Sequence, residues 1–522
     1  MQRDVIVIPE AKSVLLRSLA VHALFPQSPK ILHRGEPYVI IPHKPAETTI
    51  LRRLGHKVPP PILSNYEFPH PPDEKPFAIQ LFSAGEMSSA PAFYNLSSMG
   101  TGKTRVVLWA WDYLNREGCA NNLLIVCKLS SMRRVWVREI IRTLPGRKAI
   151  VLHGTKLQRL EALKESADIY IINHDGLRTI NDELKARPDL DVLCIDELAA
   201  FRNNSERSKH LRKFAQGFKA VWGLTGSPMP RAPTDVWSQC RIITPQTVPQ
   251  YFRHAQSALM TQVSQFKWEA KPDAVQRAYS WMQPGVRFTL DDVVELPPYI
   301  ERTVDVELTP EQQKAYKTLA ATMAVMVKER KIVAFNAGVA LGKLLQIASG
   351  YVYTENPAFV TLDSTLRKNA MLETIEECEH KIIIFAPYRH LICGLHSLLL
   401  EEKEDVALIH GGVSDKVRDK ILGDFQDTSR YRILLSDPTC ISHGLTLTAA
   451  DTVLWYLPIT SYDTFDQANH RIRRVGQTRK QQFLLMQGTA VERKLYRALK
   501  KNEVNQNALL AMFENLTEEM MS

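Results

Sequence analysis

The residues best suited to chemistry stand at Leu96-Ser97-Ser98-Met99-Gly100-Thr101-Gly102-Lys103-Thr104. Two closely spaced glycines permit a tight turn whose backbone N–H groups can approach phosphate oxygens. The Lys-Thr pair then opens a helix whose N-terminus favours an anion. In such a cradle, built by Ser98, Met99, Gly100, Thr101 and Gly102, Lys103 reaches the β- and γ-phosphates and the Thr104 hydroxyl holds Mg²⁺. Ser97 stands where the common form of this loop has its first glycine. Further on, the apolar run Val192–Ile195 ends in Asp196-Glu197. Paired acids at the C-terminal end of a parallel strand sit where open α/β sheets bind ligands. Asp196 would act on Mg²⁺, directly or through water, and Glu197 would polarise the attacking water. Leu224-Thr225-Gly226-Ser227-Pro228 closes the next apolar run, and Thr225 and Ser227 form a hydroxyl pair able to sense the phosphate state. Late in the chain, Gln467, Arg471 and Arg474 fall on one helix face at spacings of four and three. Arginines aimed across a cleft stabilise charge on a transferred phosphoryl group, worth about 10³–10⁵ in rate.

These residues need a sheet to line them up. Short continuous apolar runs alternate with helical patterns, which predicts βαβ units and parallel sheets covered on both faces. One series has strands at 123–126, 169–172, 192–195 and 220–224, and a second has them at 381–385, 406–409, 433–435 and 452–456. Two α/β lobes are expected, at 73–245 and 370–500. The stretch 246–369, with long helical patterns at 310–330 and 343–347, is expected to be a helical insertion and connector, and 501–522 a helical tail. The opening, 1–72, is expected to be a small α+β domain. Its strands are Asp4–Pro9 and Pro37–Pro42, with a helix between them over Ala11–Leu24. Pro59-Pro60-Pro61 and Pro69-His70-Pro71-Pro72 read as a stiff linker.

A chain of 522 residues is long for one core. Its net charge of +10 suits a polyanionic partner such as nucleic acid. No apolar run approaches the roughly 20 residues that span a bilayer, and the N-terminus lacks a secretion signal. The seven cysteines are scattered without a C-x-x-C pair, which argues against a disulfide framework or zinc site and predicts a cytoplasmic protein. The fifteen histidines show no metal-ligand spacing. Trp109, Trp111, Trp222 and Trp237 are expected to pack in cores.

In this order, Ser-Met-Gly-Thr-Gly-Lys-Thr, Asp-Glu-Leu-Ala, Leu-Thr-Gly-Ser-Pro and Gln-x-x-x-Arg-x-x-Arg-Val-Gly-Gln resemble superfamily-two helicase-like ATPases, specifically the Swi/Snf-type DNA translocases. The segments 124–139, 170–175, 308–316, 384–385, 410–412 and 444–451 look like further motifs of that family. The compact chain resembles its short phage and bacterial members. The resemblance implies two RecA-like lobes that hydrolyse ATP with Mg²⁺ while moving along double-stranded or forked DNA, as a monomer. It also implies that Gln80 reads the adenine, that Gln467 joins the nucleotide site, and that Lys128, Ser130, Asn173 and Gly444 contact DNA. Ala199 stands where the family's usual His follows the acids, Cys127-Lys128 where a Pro is usual, and Ile441-Ser442-His443 where Ala-Gly-Gly is familiar. Two other readings stay open: a strand-separating DNA or RNA helicase, and a nucleotide-gated DNA-binding recruitment protein. Substrate choice is expected to lie with the N-terminal domain.

Overall fold

The computed structural model describes residues 5–17, 19–33, 35–72, 74–264, 268–290, 292, 297–328, 334–353, 359–441, 446–474 and 476–501. Side chains of 322–338 and of 359 are outside that description. The chain divides into two compact units, Met1–Val293 and Val294–Ser522.

The first unit opens with a four-stranded antiparallel sheet of β1 (Val5–Ile8), β2 (Ser13–Leu16), β3 (Lys30–His33) and β4 (Glu36–Pro42), in the order β1-β2-β4-β3. The helix expected over Ala11–Leu24 is corrected here. Lys12 takes a left-handed conformation at φ 44°, and Val14-Leu15-Leu16 pair with β1 on one side and β4 on the other. Only short 3₁₀ turns remain, at Pro9–Ala11 and Leu19–Ala23. Long-range pairing of a Val-Leu-Leu run outweighs its helical spacing. The proline-rich passage is not a free spacer either. Pro60 and Pro61 are buried, and Ile62, Tyr66 and Phe68 enter the core of the following sheet.

That sheet has seven parallel strands: β5 (Ala92–Asn95), β6 (Asn122–Cys127), β7 (Ala149–Leu152), β8 (Ile169–Asn173), β9 (Leu190–Asp196), β10 (Ala220–Leu224) and, beyond an antiparallel pair β11 (Met260–Gln262) and β12 (Trp268–Ala270), β13 (Gly285–Val286). Their order is β13-β5-β10-β9-β6-β8-β7. Alternate residues serve opposite cores: Leu124 and Val126 face one, Leu123 and Ile125 the other. This double burial is why the strands read as unbroken apolar runs. Trp109, Trp111 and Trp222 are fully buried and Trp237 nearly so.

The second unit carries β14 (Tyr299–Asp305), a small hairpin of β15 (Tyr351–Tyr353) and β16 (Phe359–Thr361), then β17 (Lys381–Phe385), β18 (Val406–Ile409), β19 (Ile433–Ser436), β20 (Ala450–Trp455) and β21 (Gln481–Gln487). Six of these form a parallel sheet in the order β14-β21-β20-β17-β19-β18, again between two apolar cores. Helices Pro310–Lys328 and Ala334–Ser349 lie between β14 and β15. Among the described residues, no helix is long and apolar enough to cross a membrane.

Candidate nucleotide site

Register explains why distant residues meet. Leu224 of β10 pairs with Asn95 of β5 on one side and Asp196 of β9 on the other. The loops after β5, β10 and β9 therefore leave one sheet edge side by side, at the end where parallel sheets bind ligands. The loops after β6 and β8 follow on the same edge, since Val126 pairs with Ile195 and Cys127 with Asn173. Sequence motifs separated by a hundred residues become neighbours.

The glycine loop has a defined scaffold. Gly100 and Gly102 lie at φ 83° and 79°, a region that a side chain would strain. The helix Lys103–Arg116 starts directly after Gly102. Lys103 Nζ donates to the carbonyls of Ser97 at 2.7 Å and Ser98 at 2.9 Å, so its ammonium lies over the loop. Thr101 Oγ1 donates to Ser98 O. Ser97 makes use of its departure from glycine: its hydroxyl accepts the Phe288 N–H, and its own N–H donates to Asn95 Oδ1. The strand extension 286–288 thereby fastens the loop entrance.

Gln80 is 3 % exposed rather than on the surface. Its Oε1 accepts the Phe77 N–H at 3.1 Å and its Nε2 donates to Thr101 O at 3.0 Å. A Cβ at Gly102 would stand 2.1 Å from that Nε2, so the glycine makes room for the glutamine.

Asp196 accepts from the Glu197 N–H at Oδ1 and from the Trp136 indole at Oδ2, at 3.0 and 2.9 Å. Burial, together with the Glu197 charge, pushes its carboxyl up to about 6, while Lys103 pulls it down. Two adjacent acids with excess negative charge are suited to a divalent cation. One carboxylate and the Thr104 hydroxyl match the sparse protein ligation Mg²⁺ takes beside phosphates. Glu197 itself is held at φ 53°, an unusual conformation for a residue with a side chain. His174 Nε2 lies 2.9 Å from the Asp196 carbonyl oxygen, and burial drops its pKa to about 4, so the ring is neutral and donates there. Thr225 is buried and accepts the Ser227 N–H, and a Cβ at Gly226 would stand 3.5 Å from both Met99 N and Ser97 O. Thus Lys103, Thr104, Asp196, Glu197, Thr225 and Ser227 stand at or just beyond the ends of strands that share one sheet edge.

Of the expected DNA contacts, Lys128 and Asn173 lie at the ends of β6 and β8, and Ser130 is exposed. Asn173 Oδ1 already accepts from Arg159. Gly444 lies outside the described residues, as does the tail from 502 onward.

In the second unit the single helix face drawn for Gln467, Arg471 and Arg474 needs correction. The helix Tyr462–Asn469 ends before either arginine. The Gln467 carbonyl, which a continuing helix would give to the Arg471 N–H, is taken by Arg471 Nε at 2.8 Å. The Arg471 N–H turns to Ala468 O instead, and its carbonyl accepts from Leu447. Arg474 Nε repeats the pattern on His470 O, and its Nη1 reaches Thr446 Oγ1. Arg471 is 1 % exposed. Burial draws Arg474 down to about 10, which leaves it charged at neutral pH.

Some contributors were not assigned from sequence. Trp136 and His174 both hold Asp196, and Glu139 accepts from Arg105, the residue after Thr104, at 2.7 Å. The signal was a Trp and an acid three apart after an apolar strand, which says nothing about what they touch.

A glycine loop, a paired acid and a hydroxyl turn on adjacent parallel strands define the phosphate-loop class of nucleotide-binding proteins. Within that class, the chain belongs to the SNF2-related domain family, whose profile matches residues 96–367, followed by a helicase conserved C-terminal domain over 367–478. An ATP-dependent helicase of Mycoplasma pneumoniae is 25 % identical over 81 % of this chain and 41 % of its own length. The ISWI chromatin-remodeling complex ATPase ISW1 of Saccharomyces cerevisiae is 25 % identical over 78 % and 38 %. The protein p41 of Acyrthosiphon pisum secondary endosymbiont phage 1 is 24 % identical over 74 % and 85 %. The chain thus spans about two-fifths of the length of the first two relatives. Among solved structures, the Sulfolobus solfataricus SWI2/SNF2 ATPase core in complex with dsDNA is similar at 21 % identity, covering 87 % of this chain and 98 % of that one, with a TM-score of 0.39.

Proposed function

We propose that the protein is a DNA-dependent ATPase that moves along double-stranded DNA without separating its strands. The observation that carries this reading is the Lys103 ammonium lying over its glycine loop, on the same sheet edge as Asp196 and Glu197. Family membership and relatives named as ATP-dependent helicases and a remodelling ATPase support it.

In this proposal Lys103 moves from the Ser97 and Ser98 carbonyls to the β- and γ-phosphates, and the N–H groups of Met99 to Gly102 receive phosphate oxygens, while Ser98, whose N–H is held by Phe288 O, shapes the entrance of the cradle. Thr104 and Asp196 hold Mg²⁺, which when bound supplies charge neutralisation on the phosphates. Glu197 orients and polarises the attacking water. Thr225 and Ser227 relay the phosphate state, Gln80 and Gln467 contact the nucleotide, and Arg471 and Arg474 stabilise the transferred charge. Lys128, Ser130, Asn173 and Gly444 carry the DNA phosphates.

The domain limits 1–72, 73–245, 246–369, 370–500 and 501–522 belong to the proposal, with the first segment choosing the DNA structure; within them, 246–369 is more than a helical insertion, since it lends β13 to the first sheet and β14 to the second. So do forked DNA as a ligand, a monomeric state and a cytoplasmic location. Steady-state ATP hydrolysis measured with blunt duplex, a fork, single-stranded DNA and RNA tests the reading. Stimulation by duplex that is lost in Lys103→Ala supports it, and stimulation by single strands or RNA alone counts against it.

A further inference from the structure

The chain leaves β6 through the exposed Leu129 and Ser130 and enters a π-helical turn, Met132–Val137, which runs straight into the helix Arg138–Thr143. A π turn holds one residue more than the α-helical path and often marks a functional position. This stretch has two different sides. Lys128, Arg133 and Arg138 supply cationic groups, with Arg133 and Arg138 exposed. On the inner side, Trp136 is completely buried and Glu139 lies one turn beyond it.

Both inner residues reach the nucleotide site. Trp136 donates to Asp196 Oδ2, and Glu139 accepts from Arg105 at the root of the glycine-loop helix. Arg105 is tied in turn to Glu74 at 2.6 Å. The indole N–H is a donor only, so its bond to the carboxylate has one sense. With the Glu197 N–H on Oδ1, it fixes the plane in which Asp196 can present its remaining lone pairs. Relaxing the π turn to α would shift the register by one residue, about 100° around the axis. The indole would then leave Asp196.

We propose that Trp136 is a positioning residue: nucleic acid held on the 128–138 surface sets the π turn, and the Trp136 indole transmits that state to the Asp196 carboxylate and its affinity for Mg²⁺. The inference rests on the functional reading above and adds the route by which nucleic acid would act on hydrolysis. Glu139, through Arg105, keeps the glycine-loop helix in step with the same stretch.

The test is Trp136→Phe, which keeps a ring and removes the donor, beside Trp109→Phe. Trp109 is also fully buried in this unit and donates to Pro69 O at 2.7 Å. Binding of a fluorescent ADP is titrated with MgCl₂ and in EDTA, alongside duplex binding and duplex-stimulated ATPase. Loss of an outer hydrogen bond to a metal ligand should raise the half-saturating Mg²⁺ roughly 10–100-fold. Binding in EDTA and duplex affinity should be unchanged, and stimulation by duplex should fall to near the basal rate. Trp109→Phe should retain both the Mg²⁺ response and the stimulation. A Trp136→Phe protein with wild-type Mg²⁺ response and stimulation overturns the inference alone. Equal losses in both variants also overturn it, by reducing the effect to packing. A wild-type protein indifferent to nucleic acid overturns the functional reading and this route with it.

Discussion

Lys103 Nζ lies 2.7 Å from the Ser97 carbonyl oxygen, across the loop it terminates. The ammonium therefore substitutes for nothing distant: it is already held where phosphate oxygens would enter, by bonds a phosphate can replace with stronger charge-assisted ones. Lys103→Ala should lower hydrolysis by about 10²–10³-fold, the scale of a lost preorganised donor. Duplex binding in the absence of nucleotide should persist. Equal hydrolysis by the variant would contradict the assignment.

Gln80 should act through the loop as well as through any base it reads. Its amide satisfies both the Phe77 N–H and the Thr101 carbonyl in a buried setting. Gln80→Ala leaves both groups unpaired, a penalty of about 1–3 kcal/mol each. The expected result is weaker nucleotide binding, read as a raised KM. Gln80→Glu keeps the acceptor for Phe77 and loses the donor to Thr101, so it should impair binding for every purine and pyrimidine triphosphate alike. An effect confined to ATP would place the role on the base alone.

The acid limb of stability should carry the mark of His174. Burial lowers its pKa from 6.5 to about 4, so the folded ring stays neutral while the unfolded chain takes up a proton. Its contribution is whole above about pH 6.5 and is lost as pH falls toward 4. Between pH 7.5 and 5 the loss is on the order of 2 kcal/mol. Denaturant unfolding of wild type and His174→Asn at the two pH values checks this. The wild type should lose more stability on acidification than the variant.

The second unit has its own buried keystone. Arg367 and Glu492 pair at 2 % and 0 % side-chain exposure. Arg367 Nη1 also donates to Tyr456 O, and Glu492 Oε2 accepts from Gly488 and Thr489. Removing one partner of such a pair strands the other charge, at about 3–5 kcal/mol. Glu492→Ala should therefore unfold the second unit early in urea. The intrinsic fluorescence of the first unit's buried tryptophans should report a separate, later transition.

Much of this was legible because both large sheets are parallel and doubly covered. Leu123–Val126 and Ile382–Phe385 announce themselves as unbroken apolar runs, and Asp196-Glu197 follows such a run directly, whereas β5, the four-residue Ala-Phe-Tyr-Asn strand ahead of the glycine loop, was not among the expected strands. β14 was not legible, since six of its seven residues are exposed and its place comes from pairing with β21, far along the chain. The stop before Arg471 was hidden for another reason. A side chain takes a backbone carbonyl there, and spacing alone cannot reveal that exchange. The Trp136–Asp196 bond depends on a π turn that shifts register by one residue, which no 3.6-residue pattern encodes.

The central claim is tested most directly by steady-state ATPase at fixed salt, because phosphate contacts are salt-sensitive. The rate is compared without nucleic acid and with blunt duplex, forked duplex, single-stranded DNA and RNA. The account predicts stimulation by blunt or forked duplex and its disappearance in Lys103→Ala and Glu197→Gln. A rate that ignores every nucleic acid, or responds only to single strands or RNA, would contradict it.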